Sequence, residues 1–156
     1  MGPGLGELSP LAREVARHNV ARRAAGAIGD RSELERLDRE AAVTFGDPAS
    51  RLVVYGTLRP GRSNHHLVAH LGTWRRATVR GRLGSWEGYP ILAVADVDGD
   101  GDDVPADLLT SPVLDAHLGA LDDFEGPAYR RELVVVETDE GPVVAQCYVD
   151  ATDGVS

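Results

Sequence analysis

Apolar residues follow two different rhythms along this chain. Up to about Asp47 they recur at helical spacing; from Arg51 onward they come in short runs cut by turn residues. After Ser9-Pro10, which supplies an N-cap and a first-turn proline, Leu11 and Val15 pair with Ala12 and Ala16 on a helical face. Gly26 to Gly29 interrupts that pattern. Ser32 and Glu35 then read as a capping box for a second helix, with Leu34, Leu37 and Ala41 on a narrow apolar face. Gly46-Asp47-Pro48 ends it.

The second rhythm predicts strands. Leu52-Val53-Val54-Tyr55 is a short apolar strand, and Thr73 to Leu83 and Tyr89 to Val97 read as two more. Asn64 to Leu71 reads as a short helix with Asn64 as its cap. Val104 to Leu109 follows an acidic glycine loop. Ser111-Pro112 opens a helix with Leu114, Leu118 and Leu121 on one face, and Gly126 is placed to end it. Arg130 to Glu137 and Val143 to Val149 form a hairpin around Asp139-Glu140-Gly141. The expected class is α+β, a small and mostly antiparallel β-barrel with flanking helices. Residues 1–49 form a helical N-terminal extension and residues 50–156 the barrel domain, with no internal repeat.

Composition narrows the function. The chain has 156 residues, 42% of them apolar and 26% charged, which is ordinary for one globular domain. A formal charge of −9 makes it a poor general binder of nucleic acid or anionic membrane. Arginines crowd the N-terminal helices, but they read as wet faces on helices that pack on the domain or on a second copy of it, not as an RNA-binding arm. The cations are all arginine, a coding bias and not chemistry. No run approaches the roughly 20 apolar residues that cross a bilayer, and no secretory signal opens the sequence. Cys147 is the single cysteine. It rules out an internal disulfide, favours a cytoplasmic setting, and reads as an inert buried thiol.

Chemistry concentrates in two segments. In Tyr55-Gly56-Thr57-Leu58-Arg59-Pro60-Gly61-Arg62-Ser63 a strand runs into a glycine turn. Glycines there let the backbone approach a ligand and present its N–H groups as an anion or oxyanion cradle. The spacing of Gly56, Gly61, Arg62 and Ser63 also imitates a phosphate-binding loop, with Ile91 to Ala95 and Asp96 imitating its magnesium-holding strand. That reading fails: arginine does not replace the loop's lysine, Pro60 removes a needed N–H, and no strand–helix alternation builds a parallel sheet.

Tyr55-Gly56-Thr57-Leu58, Gly61, Asn64 and His65, then Tyr89-Pro90, then Leu121-Asp122-Asp123-Phe124-Glu125-Gly126 with Tyr129 and Arg131 occur in that order. Together they resemble the gamma-glutamylamine cyclotransferases and the wider gamma-glutamylcyclotransferase-like superfamily. The resemblance spans Leu52 to Val149 and omits the N-terminal helices. It departs at Val104-Pro105-Ala106-Asp107-Leu108-Leu109, where the family has a valine–glycine strand. It implies a barrel with a cavity at one end, no cofactor and no metal. It implies loss of a gamma-glutamyl group as 5-oxoproline with release of an amine. It also implies that Tyr55, Gly56, Thr57 and Leu58 line the substrate site, that Glu125 is the catalytic carboxylate and that Tyr129 borders the pocket.

Physical chemistry agrees with that role. A gamma-glutamyl amide closes its own five-membered ring when its α-amine attacks its γ-carbonyl, so one carboxylate moving a proton from the attacking to the departing nitrogen suffices. Glu125 ends a helix, where the dipole disfavours a second negative charge, and desolvation by Phe124 and the nearby core raises its pKa further. Trp74, Trp86 and Tyr89 are expected to shape the amine side. Arg131 is expected to brace the barrel through an ion pair. The alternative is a non-catalytic module holding a gamma-glutamyl or carboxylate ligand in the same cavity. A calcium-responsive module is a third reading: Asp96-Val97-Asp98-Gly99-Asp100-Gly101 with Asp107 at position twelve nearly fits a calcium loop, but strand-like flanks favour an acidic hairpin. His66 and His70 have zinc-like spacing without an acidic partner, and a solvated face is the better reading.

Overall fold

The computed structural model describes residues 10–94 and 101–152. Two helices, α1 (Pro10–Ala27) and α2 (Arg31–Thr44), precede six strands: β1 (Arg51–Val54), β2 (Thr73–Trp86), β3 (Tyr89–Val94), β4 (Asp102–Thr110), β5 (Tyr129–Thr138) and β6 (Gly141–Asp150). Helix α3 (Leu118–Glu125) lies between β4 and β5. The strand order is β3-β2-β4-β1-β6-β5. Pairing of Thr78 and Val79 in β2 with Glu137 and Val136 in β5 closes five strands into a barrel and leaves β3 as an extra strand on β2. All pairings are antiparallel except β1 with β6.

Strand alternation sorts the apolar side chains. Val53, Val79, Val104, Ala106, Leu108, Val134, Val136, Ala145, Cys147 and Val149 form one buried cluster contributed by all five barrel strands. Their neighbours Leu52, Val54, Leu109 and Tyr148 point the other way and join Leu118 and Leu121 of α3. This is why β1 reads as a continuous apolar run: both of its faces are covered. A fully buried leucine contributes about 1.5–3 kcal/mol, so the α3 contacts, with Leu114 just before them, are a second core. Cys147 is fully buried, and burial raises its thiol pKa far above the usual range, so it is not a nucleophile.

Local details correct the sequence expectations in four places. Asp30 caps α2 by accepting from the Glu33 N–H, so the cap precedes the Ser32–Glu35 pattern. The segment after Asn64 is only a three-residue 3₁₀ turn, His65–Leu67, and the Asn64 amide donates to Thr57 Oγ1 at 2.9 Å instead of capping it. The Ser111-Pro112 segment enters a 3₁₀ turn, Leu114–His117, before α3 begins at Leu118. Most of the acidic loop lies outside the described residues. Its twelfth position, Asp107, belongs to β4 and pairs with Arg59, which removes it from any calcium loop. Among the described residues no cluster of His, Cys, Asp or Glu is arranged to hold a metal, and no helix is long and apolar enough to cross a membrane.

Helix α1 packs on β5 of its own chain, and α2 packs on α1. β5 meets β2 only near its end, so Leu133 has no strand neighbour on its outer side. Asn19 of α1 takes that place: its amide donates to Leu133 C=O at 2.8 Å and accepts from Leu133 N–H at 3.1 Å. Arg23 pairs with Glu132 beside it. Arg51 ties α2 to the barrel, donating to Phe45 C=O at 3.0 Å and Val144 C=O at 2.8 Å. Asn19→Ala leaves two backbone groups unpartnered under a helix. It should cost about 1–3 kcal/mol in urea denaturation, while Arg39→Ala, on the wet face of α2, should stay within about 0.5 kcal/mol of wild type.

Candidate active site

One end of the barrel carries a cleft of about 580 Å³. The β1 turn, the β2–β3 hairpin, the end of α3 and the start of β5 all contribute to it. Tyr55, Gly56, Thr57, Leu58, Glu125 and Tyr129, the six residues singled out from sequence, all line it. So do Trp86, Tyr89 and Pro90. Trp74 does not: it packs against the α3 core and edge-on to His65, with ring centroids 4.9 Å apart.

The turn after β1 is held from three sides. Arg59 N–H closes it on Gly56 C=O at 3.1 Å, and Asn64 N–H donates to Thr57 C=O at 2.9 Å. His65 Nδ1 lies 2.8 Å from Leu58 C=O. Arg59 Nε donates to Asp107 of β4 at 2.8 Å, in a pair whose side chains are only 16% and 9% exposed. Such a pair positions the turn strongly, because removing one partner strands a buried charge. The N–H groups of Gly56, Thr57 and Leu58 make no hydrogen bond among the described residues. Successive free N–H groups on a turn are an anion-binding arrangement. Gly56 lets the turn approach the hairpin closely: a Cβ there would stand 3.2 Å from Pro90 Cγ, tighter than ordinary contact.

Three tyrosines frame the interior. Tyr55 OH donates to Tyr148 C=O at 2.6 Å and accepts from Leu92 N–H at 3.0 Å. Tyr129 OH donates to Pro90 C=O at 2.8 Å. Tyr148 OH donates to Asp122 Oδ1 at 2.6 Å. Burial raises the pKa of Tyr55, Tyr129 and Tyr148, so all three remain neutral donors. The sequence reading missed Tyr148. Its signal was its place on the outward-facing side of β6, the side that α3 covers.

Glu125 is the last residue of α3. Gly126 follows with φ +80, a conformation that ends the helix and that side chains disfavour. Burial pushes the Glu125 carboxyl up from 4.5 to about 7. It makes no ion pair or hydrogen bond among the described residues, and no Lys, Arg or His lines the cleft to pull its pKa back. Phe124, 47% exposed, is one of the residues that wall the cleft around the carboxylate. Asp122, one turn earlier, has the opposite fate. Its burial is outweighed by Arg131, which donates at 2.9 and 3.0 Å, and by Tyr148, so its carboxyl stays below the usual range. The ion pair expected of Arg131 is therefore present, and it joins α3 to β5. On one helix, the Asp122 carboxyl is thus held below the usual range and the Glu125 carboxyl is pushed up to about 7.

No curated protein matches this chain. Among solved structures, YkqA of Bacillus subtilis is similar, with a TM-score of 0.54 and 33% identity over 65% of this chain and 36% of its own. The present chain thus spans about a third of that protein. The AIG2-like protein A2LD1 (GGACT) of Mus musculus shares the fold, with a TM-score of 0.52 and 24% identity over 66% of this chain and 78% of its own. At3g28950.1 of Arabidopsis thaliana does likewise, at 0.52 and 23% over 65% and 62%. The family model described as gamma-glutamyl cyclotransferase, AIG2-like, matches residues 52–154, from β1 to beyond β6. The chain belongs to the AIG2-like gamma-glutamyl cyclotransferase family.

Proposed function

We propose that this cyclotransferase-type protein converts a gamma-glutamyl amine or gamma-glutamyl amino acid into 5-oxoproline and a free amine, with Glu125 as the proton carrier. One observation carries the reading: an unpaired carboxylate, which burial pushes up to about 7, shares a cleft with a turn whose three successive backbone N–H groups have no partner among the described residues. In the reaction, the free-base α-amine of the glutamyl group attacks its own γ-carbonyl and a C–N bond forms. Glu125 takes the proton released from that nitrogen. The γ-carbonyl oxygen carries negative charge in the tetrahedral intermediate. Glu125 then returns the proton to the departing nitrogen as the original C–N bond breaks. No water, metal or cofactor enters the balance.

The Gly56, Thr57 and Leu58 N–H groups hold the α-carboxylate or the developing oxyanion. Curling the glutamyl chain against the turn supplies proximity, the largest advantage in a ring closure. A carboxylate with a pKa near the working pH is the right shuttle, since both its charged and its neutral form are accessible in one turnover. Tyr129 borders the pocket, and its hydroxyl ties the start of β5 to Pro90 of β3.

Glu125→Gln keeps the shape and removes the shuttle. The folded variant should lose about 10²–10⁴-fold in 5-oxoproline release from a panel of gamma-glutamyl amides. Wild-type turnover should fall on acidification through an apparent pKa of about 7. Wild-type turnover that persists in the variant contradicts the mechanism. Failure of the wild type on the whole panel leaves a binding module.

The same substitution has a stability signature. The Glu125 pKa is raised on folding, so the folded state holds more protons than the unfolded state between 4.5 and about 7, and wild-type stability falls as pH rises across that window. Glutamine carries no such penalty. Glu125→Gln should match wild type below pH 4.5 and exceed it above pH 7, by up to about 3 kcal/mol, in denaturation measured across pH.

A further inference from the structure

A second cavity, of about 440 Å³, shares no lining residue with the cleft. Helices α1 and α2 and the turn before β1 wall one side of it; α3 with the segment leading into it, β5 and β6 wall the other. Ala41, Ala42, Ala49 and Gly119 line it with little or no side chain, which is why packing leaves room there. The space suits a small molecule. Every residue on the helical side precedes Leu52, where the family match begins, so the shared barrel alone does not form this cavity.

Most polar groups on its walls are already committed. Arg22 donates to Asp38 at 2.8 and 3.1 Å. Arg131 holds Asp122, Glu132 takes Arg23 and Arg130, and the Asn19 amide is bound to Leu133. His18 and Asp115 differ. His18 is only 8% exposed, lines the cavity, and makes no hydrogen bond or ion pair among the described residues; its ring meets Phe45 edge-on, with centroids 6.1 Å apart. Buried polar groups ordinarily have a hydrogen-bond partner, so an imidazole enclosed in this way needs one inside the cavity. Asp115, exposed on the 3₁₀ turn that leads into α3, also makes no ion pair or hydrogen bond among the described residues.

The charges decide the sign of the occupant. Two arginines on the walls face four carboxylates, Asp38, Asp115, Asp122 and Glu132, and both arginines are held by carboxylates. An anion is therefore disfavoured. Burial lowers the His18 pKa from 6.5, so at neutral pH the ring is neutral and offers one nitrogen as an acceptor. A neutral acceptor and a carboxylate both suit a positively charged N–H donor. Leu118 and Leu133 supply an apolar wall beside them. We propose that this cavity is a second ligand site, which takes a small organic cation whose N–H groups donate to His18 and Asp115 and whose carbon chain lies against Leu118 and Leu133. This site does not depend on the cyclotransferase reading.

The probe is n-butylguanidinium, with N-butylurea as its uncharged counterpart of similar shape and butyrate as an anion. Binding to the full-length protein is followed at low ionic strength by NMR of carbon-13-labelled histidine, with His18 assigned by its disappearance in His18→Leu. Butylguanidinium should shift the His18 resonance saturably and bind about tenfold tighter than butylurea, while butyrate should leave the resonance in place. Asp115→Asn, at an exposed position, should keep the fold and weaken binding about two- to fivefold. Folded His18→Leu, measured by calorimetry, should bind about tenfold more weakly than wild type. Glu125→Gln should leave the His18 response intact. A His18 resonance that does not move, or equal affinity for butylurea, overturns the proposal. Wild-type affinity in both Asp115→Asn and His18→Leu overturns the assignment of these residues. Loss of the response in Glu125→Gln places the cation in the cleft and overturns the proposal as well.

Discussion

The carboxylate of Asp122 accepts two hydrogen bonds from Arg131 and one from Tyr148, and this junction fastens α3 across β5 and β6. Arg131 also donates to Gln146, whose amide reaches Ala49 C=O at 3.2 Å, so the same junction extends to the segment that enters the barrel. α3 is only eight residues long and too short to hold its own conformation in water. Leu118 and Leu121 bury its apolar face, but they leave it free to slide by small amounts along an apolar surface. A bidentate charge pair does not slide. Glu125 lies one turn beyond Asp122, and its position in the cleft depends on that fixed point.

The cleft works through what it leaves unpaired. A protein interior normally satisfies each polar group, and this chain does so nearby: Thr57 with Asn64, Arg59 with Asp107, Tyr129 with Pro90. Among the described residues of the cleft, Glu125 and the N–H groups of Gly56, Thr57 and Leu58 are left without partners. Their neighbours' bonds hold them rigid without satisfying them.

Much of this was legible in the sequence. The alternation in Val134, Val136 and in Ala145, Cys147, Val149 gives the barrel strands, and the run Leu52 to Tyr55 gives a strand buried on both faces. The Tyr55–Leu58 turn and the helix-end Glu125 could be read as one site because their two blocks together resemble one family; by its position alone Glu125 reads as a solvated helix-end glutamate. The failures are equally physical. Short segments such as Asn64–Leu71 carry too little periodicity to separate a 3₁₀ turn from a helix. Asp30 and Ser32 both offer a capping oxygen, and only the chain path decides between them. The Arg59–Asp107 pair joins residues 48 positions apart, which no local pattern encodes. Tyr148 reaches the cleft because the β5–β6 hairpin curls under α3, and that curl becomes visible only once the barrel has closed.

The central claim is that the fold itself raises the pKa of Glu125, before any substrate arrives. Carboxyl carbon-13 NMR of glutamate-labelled protein, titrated without ligand, addresses it directly, with the resonance assigned by its disappearance in Glu125→Gln. A midpoint near 7 is the predicted result. A midpoint near the ordinary 4.5 would mean that the carboxylate is solvated like any helix-end glutamate, and would contradict the account.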